Sequence, residues 1–186
     1  MARGFNVSDF RSRLSKDGAR PSLFSVNIPA PSGIGLDTEK LSFMVKASSL
    51  PASTVGAKTI SYFGHDVHFA GMRTFATWPV TVYNDESFDL RNAFEQWSNA
   101  IDQHTGAGRG PGASASPSSY VRDGQVMQYG KMGDTIKTYN FKNMWPSEIA
   151  AITVDWDTKD EIETFDVTFT YDWYEAADAS AQTITT

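Results

Sequence analysis

Residues 161–174, EIETFDVTFTYDWY, alternate between apolar and polar side chains over nearly their whole length. Phe165, Val167, Phe169, Tyr171 and Trp173, preceded by Ile162, fall on one face, and Thr164, Asp166, Thr168, Thr170 and Asp172 on the other. Successive side chains of a strand point to opposite faces, so a period of two predicts a strand with one buried face. The other face meets water or a polar channel, which is the pattern of an antiparallel sheet.

Other segments repeat the signal. Leu23–Ile28 alternates and stops at Pro29; Leu41–Ala47 reads as a second strand, stopped by Pro51; Thr74–Tyr83 reads as a third. Pro79 lies inside that third segment and cannot donate to a ladder, so it belongs at an edge, a strand start or a bulge. Gln125–Tyr129, Thr135–Phe141 and Ala150–Trp156 complete the strand set before 161–174. Between the second and third strands the chain makes an excursion, 48–71, and 52–72 is weakly patterned. Its β-prone fragments, Thr59–Phe63 and Val67–Ala70, are separated by Gly64 and read as a hairpin-like excursion with little apolar area of its own.

One helix is predicted over 86–102. Asn84 or Asp85 is placed to cap it, Glu86 and Asp89 sit in the first turn, and Gly106 ends it. Leu90, Phe94, Trp97 and Ile101 recur at four, three and four residues, one apolar stripe for packing on a sheet. The expected architecture is therefore mainly β: an antiparallel β-sandwich or barrel with one packed α-helix. At 186 residues the chain fits one domain, 1–186, with a charged arm at 1–18, a Gly/Ala/Ser-rich flexible loop at 105–119 and a flexible tail at 176–186.

Composition narrows function mostly by exclusion. With 40% hydrophobic and 13% aromatic residues the chain is not a disordered one. It has no cysteine, hence no disulfide framework, thiolate zinc site or cysteine nucleophile. No apolar run approaches the ~20 residues of a membrane-spanning helix, and the N-terminal segment lacks the apolar stretch of a secretory signal. The net charge of −6 disfavours tight nucleic-acid binding, which needs clustered cations. Residues 1–20 carry five basic and two acidic side chains, whereas 155–178 carry nine acidic residues and one lysine. A basic head and an acidic end can complement each other between copies, or the acids can form a solvated face.

Candidate chemistry is sparse. His65, Asp66 and His68 form a two-histidine, one-carboxylate cluster with nothing nearby to complete it, so surface histidines are the simpler account. Asp155, Asp157, Asp160, Glu161 and Glu163 resemble a calcium loop, but Lys159 occupies a ligand position and the central glycine is missing. Gly106, Gly108, Gly110 and Gly112 follow a helix and lack the Gly-Lys-Ser/Thr of a phosphate cradle. No catalytic residue, metal or cofactor is expected. An aromatic-rich sandwich that binds carbohydrate is the alternative from a different class, although most aromatics fall on core-facing positions.

Several blocks resemble the tail tube proteins of contractile phages, in family order over most of 19–175. They are Ala19–Val26, Phe43–Ala52 (FMVKASSLPA), Ala70–Phe75, Trp78, Val80–Glu86, the helix through Trp97, Met144-Trp-Pro146, Val154-Asp-Trp-Asp157, Glu161–Phe165 and Tyr171. The resemblance implies a virion structural subunit, assembled in the host cytoplasm, whose hexameric rings stack into a hollow tube that conducts DNA while a sheath contracts outside. Its implied partners are further copies of itself, the sheath protein, the baseplate or tube initiator and the tail terminator; DNA passes without tight binding. The inner tube of an injection or secretion system with protein cargo is the nearest rival. Six copies at −6 each would put −36 on a ring. Within that picture Asp166 and Asp172 are candidates to face the lumen. The excursion, in particular Ser53, Thr54, Val55, Gly56, Ala57 and Lys58, is the candidate for stacking between rings.

Overall fold

The structure is a computed structural model that describes residues 6–14, 18–102 and 117–178. The elements in chain order are α1 (Val7–Arg13), β1 (Phe24–Asn27), α2 (Thr38–Met44), β2 (Val45–Ser48), β3 (Ser53–Tyr62), β4 (His65–Phe75), β5 (Trp78–Tyr83), α3 (Asp89–Ile101), a 3-10 turn (Pro117–Ser119), β6 (Arg122–Tyr129), β7 (Thr135–Ile149), β8 (Thr164–Thr170) and β9 (Trp173–Asp178). The main sheet runs β1-β6-β7-β8-β5-β2 with every pair antiparallel, and β9 adds to β7; β3 and β4 form a separate two-stranded ribbon. The chain is mainly antiparallel β, as its alternation requires.

β7 is the pivot. Its first half pairs with β6 and β9, and its last residues, Trp145–Ile149, pair with β8. The change of partner falls where Asn143 adopts a positive φ of 54° and the register shifts after Pro146. The bend folds the two halves of the sheet toward each other: Trp78 of β5 stacks on Phe141 of β7 at 4.2 Å. β8 supplies Phe165, Val167 and Phe169, paired with Val82, Val80 and Trp78 of β5, all buried. α3 lies over this layer. Its Phe94 ring stands 6.3 Å from Phe165 and 6.1 Å from Phe169, and the Trp97 indole N–H donates to the Tyr120 carbonyl at 2.9 Å. Leu90, Phe94 and Trp97 are buried, while Ile101 is half-buried at the margin of the core.

Several expectations need correction. The helix starts at Asp89, not 86, and neither Asn84 nor Asp85 caps it. Phe88 stands at the cap in the left-handed region, φ 56°, with no side-chain cap hydrogen bond, and the two polar residues lie upstream of it. The Asn84 amide donates to Glu163, and Asp85 pairs with Lys40 at 2.5 Å. Leu41–Ala47 is not a strand throughout. Asp37 accepts from the Glu39 and Lys40 N–H groups, both at 3.0 Å, and starts α2, which buries Leu41; only Val45–Ser48 is extended. The structure thus has three α-helices among the described residues where one was expected, α1 being the third.

Ala150–Trp156 is not a strand either: β7 runs on to Ile149, and the chain then leaves the sheet in an irregular turn. Arg91 donates to the Ala150 carbonyl at 2.8 Å and Ala150 N–H to Asp166, which fixes the exit. The 161–174 alternation divides at Tyr171-Asp172 into β8 and β9, leaving Ile162 and Trp173 exposed. Thr74–Tyr83 likewise divides at Ala76-Thr77. Pro79 becomes the second residue of β5, beyond the point where pairing with β2 stops at Val80, so on that side it faces no ladder partner. Of the 105–119 loop, 105–116 lie outside the described residues, as do 179–186 of the tail; Ala176–Asp178 belong to β9.

Candidate self-assembly interface

β3 and β4 are joined by Phe63-Gly64, both at positive φ (49° and 79°), the two-residue turn whose twist suits a hairpin. The pairing is regular from Tyr62↔His65 to Ala57↔Ala70 and shifts by one residue at Gly56, opposite Gly71 and Met72. A Cβ on Gly71 would lie 2.9 Å from the Gly56 carbonyl oxygen, so the close approach of the strands there depends on glycine. At about 3.4 Å per residue, ten residues of β3 project roughly 34 Å. Only the base is anchored. The Phe75 ring packs at 5.4 Å on Tyr174, whose hydroxyl donates to Ser53 at 3.4 Å. Every residue from Thr54 to Ala70 is exposed.

Cross-strand partners share a face, so the register sorts the hairpin's side chains. One face carries Ser61 donating to Asp66, Thr59 bonded to His68 at 3.0 Å and Arg73 donating to Ser53 at 3.2 Å. The other aligns Ile60 with Val67, Tyr62 with His65 and Lys58 with Phe69, and Met72 joins it at the bulge. Ile60, Tyr62, Phe69 and Met72 are each more than half exposed. The hairpin is thus amphipathic and its apolar face is uncovered. An isolated two-stranded ribbon is marginal in water, and a contiguous exposed apolar patch marks an interaction site.

The candidate stacking residues Ser53–Lys58 form the proximal half of β3, with Ser53 at the anchored base and Thr54–Lys58 exposed. The apolar stripe runs from Tyr62 near the tip through Ile60 and Val67 back to Phe69, opposite Lys58, and Met72 at the bulge, so it overlaps the outer part of Ser53–Lys58. Sequence reasoning missed it because Ile60 and Val67 come together only once the register is known. The signal available was the Phe63-Gly64 pair between two β-rich runs. His65 and His68 point to opposite faces of β4, as residues three apart on a strand must, so the histidine cluster does not converge.

Asp166 stands on the outward face of β8, and Asp172 is exposed in the bend that follows the strand. Asp166 accepts from the Thr81 hydroxyl at 2.5 Å, and Asp172, in the bend between β8 and β9, accepts from the Asn143 amide at 2.7 Å. Glu148, exposed and paired with Thr168, adds a second carboxylate to the face of Asp166, one that sequence reasoning did not single out. The outer sides of β1, β2 and β9 carry no strand among the described residues. These edges have backbone groups available for pairing with another chain. On the β6–β7–β9 side, burial alone would raise the Asp123 carboxyl, but the Lys142 ammonium at 2.7 Å and the Asn143 N–H hold it below its ordinary value.

Comparison with known proteins places this geometry. Residues 19–177 match the family model described as phage tail tube protein. Tail tube protein gp19 of Enterobacteria phage T4 is 36% identical over 177 residues, covering 94% of this chain and 97% of that one. The tail tube protein of Serratia phage KSP90 is 24% identical over 163 residues, 86% of this chain and 90% of that one. Among solved structures, a chain of the anti-feeding prophage baseplate superposes with a TM-score of 0.56 at 11% identity, over 86% of this chain and 95% of its own, a likeness of fold alone. The ordered sequence blocks, the bent antiparallel sheet with α3 across it and a match spanning nearly all of both chains lead to one assignment: this chain belongs to the phage tail tube protein family.

Proposed function

We propose that copies of this chain join side by side into hexameric rings, and that the rings stack into a hollow, non-catalytic tube through which the genome leaves the virion. The observation that carries this is the amphipathic β3–β4 hairpin, whose apolar face needs a surface that one subunit does not provide. A neighbouring copy, in the same or an adjacent ring, supplies that surface, and the free strand edges supply the lateral joints. Within the hairpin, Ser53–Lys58 lead into the stripe, with Lys58 opposite Phe69, and take part in stacking.

The outward face with Glu148 and Asp166, together with Asp172 in the bend that follows, is assigned to the lumen. An anionic wall repels phosphate and gives DNA no cationic contact on which to stall. On this proposal the partners are the sheath outside, the baseplate or initiator at one end and the terminator at the other, and assembly takes place in the host cytoplasm.

The test is a variant with Ile60→Asp and Val67→Asp, both exposed in the free subunit. It should remain a folded monomer with an unchanged unfolding temperature and fail to polymerise. Normal tubes from this variant would contradict the proposal.

A further inference from the structure

α1 has no packed face. Asn6 caps it by accepting from the Ser8 N–H at 3.1 Å, and every residue from Asn6 to Leu14 is exposed. Val7, Phe10 and Leu14 recur at three and four residues, making one apolar stripe, with Arg11 and Arg13 on either side of it. A seven-residue helix does not persist in water by itself, so its order calls for a surface to lie on.

The turn between β7 and β8 offers the complementary chemistry. Val154, Trp156 and Ile162 are exposed there, Trp156 at 97%, the most exposed large apolar side chain among the described residues. Asp155, Asp157, Asp160, Glu161 and Glu163 surround them against the single Lys159. Val154, Asp155, Glu161 and Ile162 contribute to the lining of an open groove of about 430 Å³. One segment is apolar and cationic, the other apolar and anionic, and both belong to the same chain.

We propose that α1 of one copy docks on the 151–163 turn of another. Val7, Phe10 and Leu14 cover Val154, Trp156 and Ile162, and Arg11 and Arg13 meet the surrounding carboxylates. Opposite charge guides the encounter and sets the orientation, and the apolar stripe supplies the affinity. The inference rests on self-assembly as proposed above, and adds a joint separate from the hairpin.

The chain has no cysteine, so introduced cysteines report the contact alone. Chains carrying Phe10→Cys are mixed with chains carrying Trp156→Cys under mild oxidation; both positions are exposed, so folding is preserved. A mixed disulfide, located by peptide mapping, should exceed by several-fold that formed by Phe10→Cys with Met132→Cys, a control at another exposed residue. Its yield should fall several-fold in high salt, as exposed ion pairs are screened. It should also fall with Arg11→Glu/Arg13→Glu and recover when Asp160→Lys/Glu161→Lys is placed on the partner. A yield no higher than the control overturns the contact, and so does a disulfide formed within single chains carrying both cysteines. If chains that keep Arg11 and Arg13 form tubes normally but give no mixed disulfide, this joint fails while the tube stands. If the unmodified chain forms no tubes yet the mixed disulfide appears, the tube fails and this joint stands.

Discussion

Replacing Phe69 by Ala separates assembly from folding in a single change. Phe69 lies on the apolar face of the hairpin opposite Lys58, with 53% of its surface exposed. A phenylalanine has roughly 200 Å² to bury, so about 100 Å² remains for a neighbouring copy to cover. At about 25 cal/mol per Å² that is about 2.5 kcal/mol per hairpin, provided the interface covers it fully. Because the side chain is already exposed in the free subunit, its loss should change monomer stability by no more than about 0.5 kcal/mol. Every 1.4 kcal/mol is tenfold in an equilibrium constant, so the critical concentration for polymerisation should rise roughly sixty-fold. Sedimentation of assembled material over a protein dilution series reads that concentration, and thermal denaturation of the soluble fraction reads the monomer. An unchanged critical concentration with an intact monomer would mean instead that the apolar face stays uncovered in the tube.

Other consequences follow from the same geometry. Gly71→Ala should weaken the hairpin, because its Cβ would approach the Gly56 carbonyl to 2.9 Å; polymerisation should fall while the melting of the body is preserved, and parallel loss of both in calorimetry would place the bulge within the core. Phe94→Ala should cost about 3–5 kcal/mol of stability in denaturant unfolding, since the buried ring sits between Phe165 and Phe169, and a cost below 1 kcal/mol would contradict that packing. Tyr171 is buried and, among the described residues, its hydroxyl has no hydrogen-bond partner; Tyr171→Phe should therefore leave stability unchanged or raise it by about 1 kcal/mol in the same unfolding assay, and a clear loss would show that the hydroxyl is bonded. Lys40 bridges Asp85 at 2.5 Å and Asp89 at 2.8 Å, and these hydrogen bonds hold both carboxyls below their ordinary values while raising the lysine to about 12. The depressed carboxyls contribute stability that is present above their unfolded pKa and is lost as pH falls through the folded one, whereas the lysine's share disappears only as pH rises toward 12. Lys40→Met should thus flatten the acid limb of stability against pH in denaturation titrations and lower the neutral-to-mildly-alkaline plateau without giving it a slope; an acid limb as steep as that of the unaltered chain would contradict the pairing.

How far the sequence discloses this fold depends on which interaction decides each element. Burial decided β8 and α3, and burial leaves a period: Phe165, Val167 and Phe169 at two, Leu90, Phe94 and Trp97 at helical spacing. A single cap decided α2, where Asp37 holds two N–H groups and turns a strand-like apolar run into a helix that buries Leu41. The start of α3 departs from its capping signal: Asn84 and Asp85 are tied to Glu163 and Lys40 upstream, and the helix begins at Asp89 after Phe88 in the left-handed region. β7 was legible only in part: its extension to Ile149 depends on pairing with β8, a long-range contact that no local pattern announces. The hairpin's apolar face was hidden for a related reason. Lys58, Ile60, Tyr62, Val67 and Phe69 look scattered along the chain and become one stripe only through the cross-strand register. Carboxylates such as Asp166 are easily read from alternation, but which way the outward face looks is a property of the assembly and not of one subunit.

Electron microscopy of the purified, concentrated chain should show hollow tubes built of stacked rings with six subunits each, the outward β8 face toward the bore and the hairpin buried between copies. Persistent monomers at high concentration, or an assembly in which the β3–β4 hairpin stays in solvent, would contradict the proposed tube.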